Sequence, residues 1–155
     1  MTCIPNILVL CTGTSCRSQM LHGYLQDLLG TRAHVFSAGL EAHGVYPLAA
    51  RVMGEDGISI AYHTSDTVGE HLSFSFAHVL TVCDNAHSIR PLFAARARQH
   101  HRAFPDLAKT RGTIAERLAQ FRAVRDQLKA YALAFVGEEF ATSTHMDEQR
   151  RRLGA

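Results

Sequence analysis

No apolar stretch in this sequence approaches the roughly 20 residues that a membrane span requires, so no membrane helix is expected. The opening Met1-Thr2-Cys3-Ile4-Pro5-Asn6 lacks the basic start of a secretion signal, and the apolar run Ile7 to Leu10 is too short to serve as one. A cytoplasmic protein is therefore expected. Cysteine is scarce, with four in 155 residues, at positions 3, 11, 16 and 83. A chain this long folds without covalent staples, so these thiols read as buried, catalytic or metal-binding groups and not as a disulfide framework. Charge of one sign is also nearly missing, since the formal net charge is +2. That mild basicity favours an anionic substrate but is too weak for a nucleic-acid surface. The one basic run, Arg150-Arg151-Arg152, reads as a solvated tail. There is no internal repeat and no low-complexity linker. A single domain over residues 1–140, followed by a polar tail over 141–155, is the expected organisation.

What is present is a globular composition, 46% apolar and 19% charged. Asn6-Ile7-Leu8-Val9-Leu10 is continuously apolar and rich in branched residues, the pattern of a buried parallel strand. A polar turn, Cys11 to Arg17, follows it. Ser18 to Leu29 then has helical spacing, with Met20, Tyr24 and Leu28 on one face, and Gly30 stops it. His34 to Gly39 predicts a second strand. Pro47 opens a second helix through Val52 and Met53, which Gly54 or Gly57 closes. Ala77 to Cys83 predicts a third strand and Arg102-Ala103-Phe104 a fourth. From Thr113 a long helix carries Ile114, Leu118, Phe121, Leu128, Ala132 and Phe135 on one stripe. That stripe reads as core, and a monomer or weak dimer is expected. Strands alternating with helices predict an α/β three-layer sandwich: a central, mostly parallel four-stranded sheet with helices on both faces. Ligands of such sheets bind beyond the carboxyl ends of the strands, where Cys11 and Cys83 both fall.

The segment Cys11-Thr12-Gly13-Thr14-Ser15-Cys16-Arg17-Ser18 is the chemical signal. Consecutive backbone amides in a tight loop make a concave anion site, and the following helix adds its positive end. Gly13 permits a positive φ and a close approach to a ligand. Arg17 forks two donors onto two oxygens of a tetrahedral anion. The same positive surroundings favour the Cys11 thiolate, to which Ser18 could donate a hydrogen bond. A nucleophile on the floor of an anion cradle suits in-line attack on phosphorus or arsenic. The histidines suggest a second chemistry, since Cys83, His87, His100 and His101 could be drawn as a zinc set. Their spacings fit no compact ligand pattern, so no metal is expected.

The run Val9-Leu10-Cys11-Thr12-Gly13-Thr14-Ser15-Cys16-Arg17-Ser18-Gln19-Met20 resembles the active-site loop of arsenate reductases built on the low-molecular-weight tyrosine phosphatase fold. The likeness continues through Ser37-Ala38-Gly39, Gly57-Ile58-Ser59-Ile60, Val82-Cys83-Asp84-Asn85-Ala86, Phe104-Pro105-Asp106 and Phe121-Arg122-Ala123-Val124-Arg125-Asp126. The resemblance implies roles: Cys11 the nucleophile, Arg17 the oxyanion clamp, and Asp106 the general acid that protonates the departing oxygen. Residues 12 to 18 (Thr12, Gly13, Thr14, Ser15, Cys16, Arg17 and Ser18) would bind the oxyanion. Cys83 would resolve the Cys11–arsenic adduct, releasing arsenite and leaving a Cys11–Cys83 disulfide. Cys16 is an alternative partner for Cys11, as a protective disulfide. No bound cofactor is implied, only an external thiol reductant such as glutathione with glutaredoxin, or thioredoxin.

Two features separate this branch from the phosphatases it resembles. Asp106 is followed by Leu107-Ala108-Lys109, which offers no aromatic wall for a phenyl ring, and Gln19 stands where the phosphatases usually have proline. Three features depart from the reductase pattern. Arg90 occupies the place of a third cysteine seven residues after Cys83, so no relay through a third thiol exists. Thr14 replaces an asparagine that tolerates left-handed φ better than a β-branched residue does. Leu107 replaces a proline after the acid, which predicts more motion around Asp106. Arsenate reduction is the first expectation. A phosphatase acting on phosphotyrosine or small phosphate esters is the alternative, and a non-catalytic oxyanion or redox sensor is a third.

Overall fold

The computed structural model describes residues 4–13, 16–41, 46–60, 75–83 and 97–140. The apolar run near the start becomes β1 (Asn6–Gly13), in which Ile7, Leu8, Val9 and Leu10 are each 0% exposed. A strand without polar alternation has to be covered on both faces, and this one is. It pairs in parallel with β2 (His34–Glu41). The turn expected at Cys11 starts later, because the pairing continues with Cys11 opposite Gly39 and Gly13 opposite Glu41. A neighbouring strand supplies those backbone partners, which local composition cannot reveal.

Helix α1 (Arg17–Leu29) begins one residue before the expected start and ends at Gly30, whose φ is 55°. Helix α2 (Pro47–Glu55) has its proline in the first turn, where the missing N–H costs nothing. Of the two glycines expected to close it, Gly54 lies within the helix, and Gly57, at φ 78°, makes the left-handed turn. The third expected strand is β3 (His78–Thr81), and its pairing with β1 extends one residue beyond each end, from Ala77 N–H to Asn6 O and from Val82 N–H to Leu10 O.

The fourth strand is displaced from its expected position. β4 is Arg98–His101, and Arg102 to Phe104 continues alongside β3 through Arg102 N–H to Thr81 O and Phe104 N–H to Val82 O. β4 lies on the sheet edge and carries Arg98, Gln99, His100 and His101, so no hydrophobic pattern marks it. Helix α3 (Ile114–Glu139) starts from a capping box: Thr113 Oγ1 accepts from Glu116 N–H while the Glu116 carboxylate reaches back to Thr113 N–H. The expected core stripe is buried at Leu118, Phe121, Leu128, Ala132 and Phe135, with Val124 and Val136 added. Ile114 is corrected, since it is 61% exposed on the first helical turn, before the helix meets its neighbours.

The four strands are all parallel, in the order β2-β1-β3-β4. From β1 the chain runs through α1 to β2 on one side, then crosses to β3 on the other. The winding direction therefore reverses between β1 and β3. The crevice beyond the carboxyl ends of such strands is where open parallel sheets bind ligands.

Helices α1 and α2 both pack on α3, and α1 also covers β1 and β2. A polar cluster joins the three helices at the end of α2. The fully buried Tyr24 donates to Asp56 Oδ2 at 2.8 Å, and Lys129 Nζ lies 3.2 Å from the same carboxylate oxygen. Burial and that carboxylate push the Tyr24 phenol far above its ordinary range. Arg122 grips Glu55 with two parallel bonds of 2.9 and 2.7 Å, and Arg125 Nη1 donates to both Glu55 Oε1 and Val52 O at 3.0 Å. The Arg122 contact, aided by Arg125, holds the Glu55 carboxyl down to about 2.

Candidate active site

Cys11 stands near the carboxyl end of β1, 2% exposed, and Cys83 follows the end of β3, 4% exposed. Both are buried thiols. Leu10 is in register with Thr81, so Cys11 and Cys83 lie one residue apart in level on adjacent strands. Ideal sheet spacing, about 4.8 Å between strands and about 3.3 Å per residue, puts α-carbons at these two levels about 6 Å apart, and a regular pleat would send their side chains to opposite faces. The chain bends at Cys83. Cys16, also a buried thiol, is the residue that caps α1, and its carbonyl accepts from Met20 N–H at 2.9 Å. Thr12 and Gly13 belong to β1, with Gly13 extended opposite Glu41; the described glycines at positive φ are Gly30, Gly57 and Gly112. Thr14 and Ser15, like Cys3 and Arg90, lie outside the described residues.

Arg17 opens α1 and is 8% exposed. A guanidinium is tolerated at that depth only with partners. Its Nη1 donates to Phe104 O at 3.0 Å, and its Nη2 lies 3.7 Å from Asp106 Oδ1. This contact joins the start of α1 to the chain that leaves β4, 87 residues later. It leaves the guanidinium's contact with the carboxylate longer than a hydrogen bond. Next to it, Ser18 is 0% exposed and its Oγ has no hydrogen-bond partner among the described residues. A buried hydroxyl without a partner costs stability. A thiolate or a bound oxyanion is the kind of acceptor that would satisfy it.

Asp106 reaches the same edge by a specific route. The pairing of Phe104 with Val82 carries the chain past β3, and a single 3-10 turn, Leu107–Lys109, follows the acid. Lys109 N–H donates to Asp106 O, and Thr110 N–H to Leu107 O, both at 3.3 Å. The Asp106 side chain is 36% exposed, with Lys109 Nζ 4.0 Å from Oδ2. Leu107, which stands where the resemblance has a proline, is 1% exposed. A cavity of about 240 Å³ opens beside Asp106, between Pro105, Leu107, Lys109 and Thr110 and the α3 residues Gln120, Ala123, Val124 and Gln127.

The histidines drawn as a zinc set have other uses here. His100 Nε2 is 3.2 Å from His78 Nδ1, and His101 Nδ1 is 2.6 Å from Thr81 Oγ1. His87 lies outside the described residues. His78 and His100 both pack edge-on against Phe135, and burial lowers both pKa values from the ordinary histidine range.

One feature of the site has no sequence signal. Arg117, in the first turn of α3, donates from Nε to Thr110 Oγ1 at 3.3 Å and from Nη2 to the Tyr46 hydroxyl at 2.7 Å. No spacing rule connects residues 46, 110 and 117.

Comparison with known proteins is consistent with this geometry. The family model for low molecular weight phosphotyrosine protein phosphatase matches residues 6–146. An arsenate reductase of Halalkalibacterium halodurans is 44% identical over 122 residues, covering 79% of this chain and 88% of that protein. The arsenate reductase of Bacillus subtilis is 40% identical over 122 residues, with the same coverage. Among solved structures, an arsenate reductase in its oxidised state superimposes with a TM-score of 0.76 at 25% identity, over 86% of this chain and 98% of that one. A tyrosine phosphatase of Erwinia amylovora gives 0.75 at 20% identity, over 90% and 96%, and shares the fold.

Proposed function

Because the chain belongs to the low molecular weight phosphotyrosine protein phosphatase family, we propose that it works in the arsenate reductase branch, with Cys11 as nucleophile and Cys83 as resolving thiol. Arsenate docks on the amides of residues 12 to 18, with Arg17 turning its guanidinium from the Phe104 carbonyl onto two of its oxygens. The Cys11 thiolate attacks arsenic. One As–O bond breaks, and Asp106 supplies the proton on which the oxygen leaves as water. The Cys83 thiolate then attacks Cys11 Sγ. An S–S bond forms, the S–As bond breaks, and its electron pair stays on arsenic, which departs as arsenite. Two electrons have passed from two thiols to one arsenic. Two external thiols, or one dithiol, then return Cys11 and Cys83 to thiols and leave as a disulfide, because Arg90 stands where a third cysteine would be needed for an internal relay.

The observation that supports this reading is that Cys11 and Cys83 lie near the carboxyl ends of the adjacent strands β1 and β3, at the switch point of the sheet. Hydrolysis of a phosphate ester has no use for a second thiol there. The test is a thiol count on the reduced protein before and after arsenate. Loss of two thiols, prevented by Cys83→Ser, is the expected result. Turnover of p-nitrophenyl phosphate that survives Cys83→Ser, with no arsenate-dependent thiol loss, would replace this reading with the phosphatase one.

A further inference from the structure

The segments that follow the two outer strands of the sheet are held by one cation. Residue Tyr46 lies beyond β2, at the entry to α2, and Thr110 lies beyond β4, at the end of the turn that follows Asp106. In the order β2-β1-β3-β4 these strands are three spacings apart, about 14 Å at ordinary sheet geometry. Arg117 spans the gap between their extensions by donating to both hydroxyls, at 2.7 Å to Tyr46 and 3.3 Å to Thr110.

Each end of this bridge is locked. The Tyr46 ring stacks on Phe121, one helical turn beyond Arg117, with centroids 5.7 Å apart and planes 14° from parallel. Pro47 fixes the backbone immediately after it. At the other end, Thr110 Oγ1 donates its single proton to Leu107 O at 3.0 Å. Its lone pairs are therefore what Arg117 engages, and the two bonds polarise each other in series. The carbonyl that receives the last bond belongs to the residue next to Asp106. Both acceptors of the guanidinium are neutral hydroxyls. The bridge is therefore a geometric restraint more than an ion pair, and arginine's rigid fork suits it where a lysine's single point does not.

We propose that Arg117 is a positioning residue for Asp106: by tying Thr110 to Tyr46 it fixes the turn from which the acid delivers its proton. This inference rests on the reading of Asp106 as the general acid. Misplacing an acid by a fraction of an ångström costs rate and leaves the anion cradle intact. Arg117→Met should therefore lower kcat for arsenate-dependent thiol loss about tenfold, with KM changed less than about twofold, and it should flatten the limb of the pH–rate profile that reports the acid.

A double-mutant cycle with Asp106→Asn separates this role from a general structural one. If Arg117 acts through the acid, Arg117→Met changes little in the Asp106→Asn background. Multiplying effects would overturn the proposal. Arg117→Lys should recover only part of the rate. Amide exchange provides a readout that needs no turnover: the Lys109 and Thr110 amides should exchange at least about tenfold faster in Arg117→Met and in Tyr46→Phe, while the α1 amides do not change. Unchanged exchange at those two amides would overturn the proposal even if activity fell. A wild-type protein that loses no thiols to arsenate would remove the functional reading instead, and the exchange result would then decide by itself whether Arg117 holds the turn.

Discussion

At the end of α2, polar groups are closed upon one another; at the carboxyl edge of the sheet they are kept in reserve. Tyr24 is fully buried yet donates to Asp56, and Glu55 accepts from Arg122 and Arg125 at 3.0 Å or less. Ser18 is equally buried and its hydroxyl has no hydrogen-bond partner among the described residues. Arg17 spends one nitrogen on a carbonyl and holds another 3.7 Å from Asp106. The first region is complete as it stands and contributes to stability. In the second, one buried hydroxyl has no partner among the described residues, which costs stability and fits the anion site proposed above. The same residue types thus serve opposite ends, according to whether their partners belong to the chain.

The comparison breaks most visibly at Arg17. Arg17→Lys keeps the charge but loses the fork, so arsenate-dependent thiol loss should slow by about 10²–10³-fold while stability changes by less than about 1 kcal/mol. Single-turnover kinetics and urea denaturation measure the two. A large stability loss with little change in rate would place Arg17 among the structural groups. Tyr24→Phe should do the reverse. It removes one hydrogen bond to a charged acceptor, so urea denaturation should show a loss of about 1–2 kcal/mol with turnover within about twofold of wild type. A matching fall in turnover would mean that the cluster and the site are coupled. Ser18→Ala gives the smallest effect and the sharpest one, because its two readouts should move in opposite directions. The rate should fall by about tenfold, the worth of one hydrogen bond to a charged partner, while the melting temperature stays level or rises, since no native bond is lost. A lowered melting temperature would reveal a structural partner for that hydroxyl and end the contrast.

How much of this was legible in the sequence depends on the range of the interaction. β1, the Cys11–Ser18 segment and α1 are contiguous, and each carries its own signal: a continuous apolar run, a cysteine–arginine spacing, and a 3.6-residue period ended by Gly30. The apolar strand that Cys83 follows was legible, whereas a role for its thiol came only from the resemblance. The extension of β1 to Gly13 was not, because the partner that pairs those residues is β2. β4 was misplaced because an edge strand with polar side chains carries no apolar period. Ile114 fitted the stripe of α3 by number, but it is exposed on the first turn of that helix.

The sequence by itself determined the alternation of strands and helices and pointed to Cys11 and Arg17, since both arise from neighbours in the chain: branched residues favour the strand, and the cysteine and the arginine six positions apart stand near a strand end and at a helix start. Only the tertiary structure decided what holds that chemistry in place. Arg17 meets Phe104 across 87 residues and Arg117 meets Tyr46 across 71, and contacts of that range follow from how the strands are ordered in the sheet, which no local pattern of side chains records.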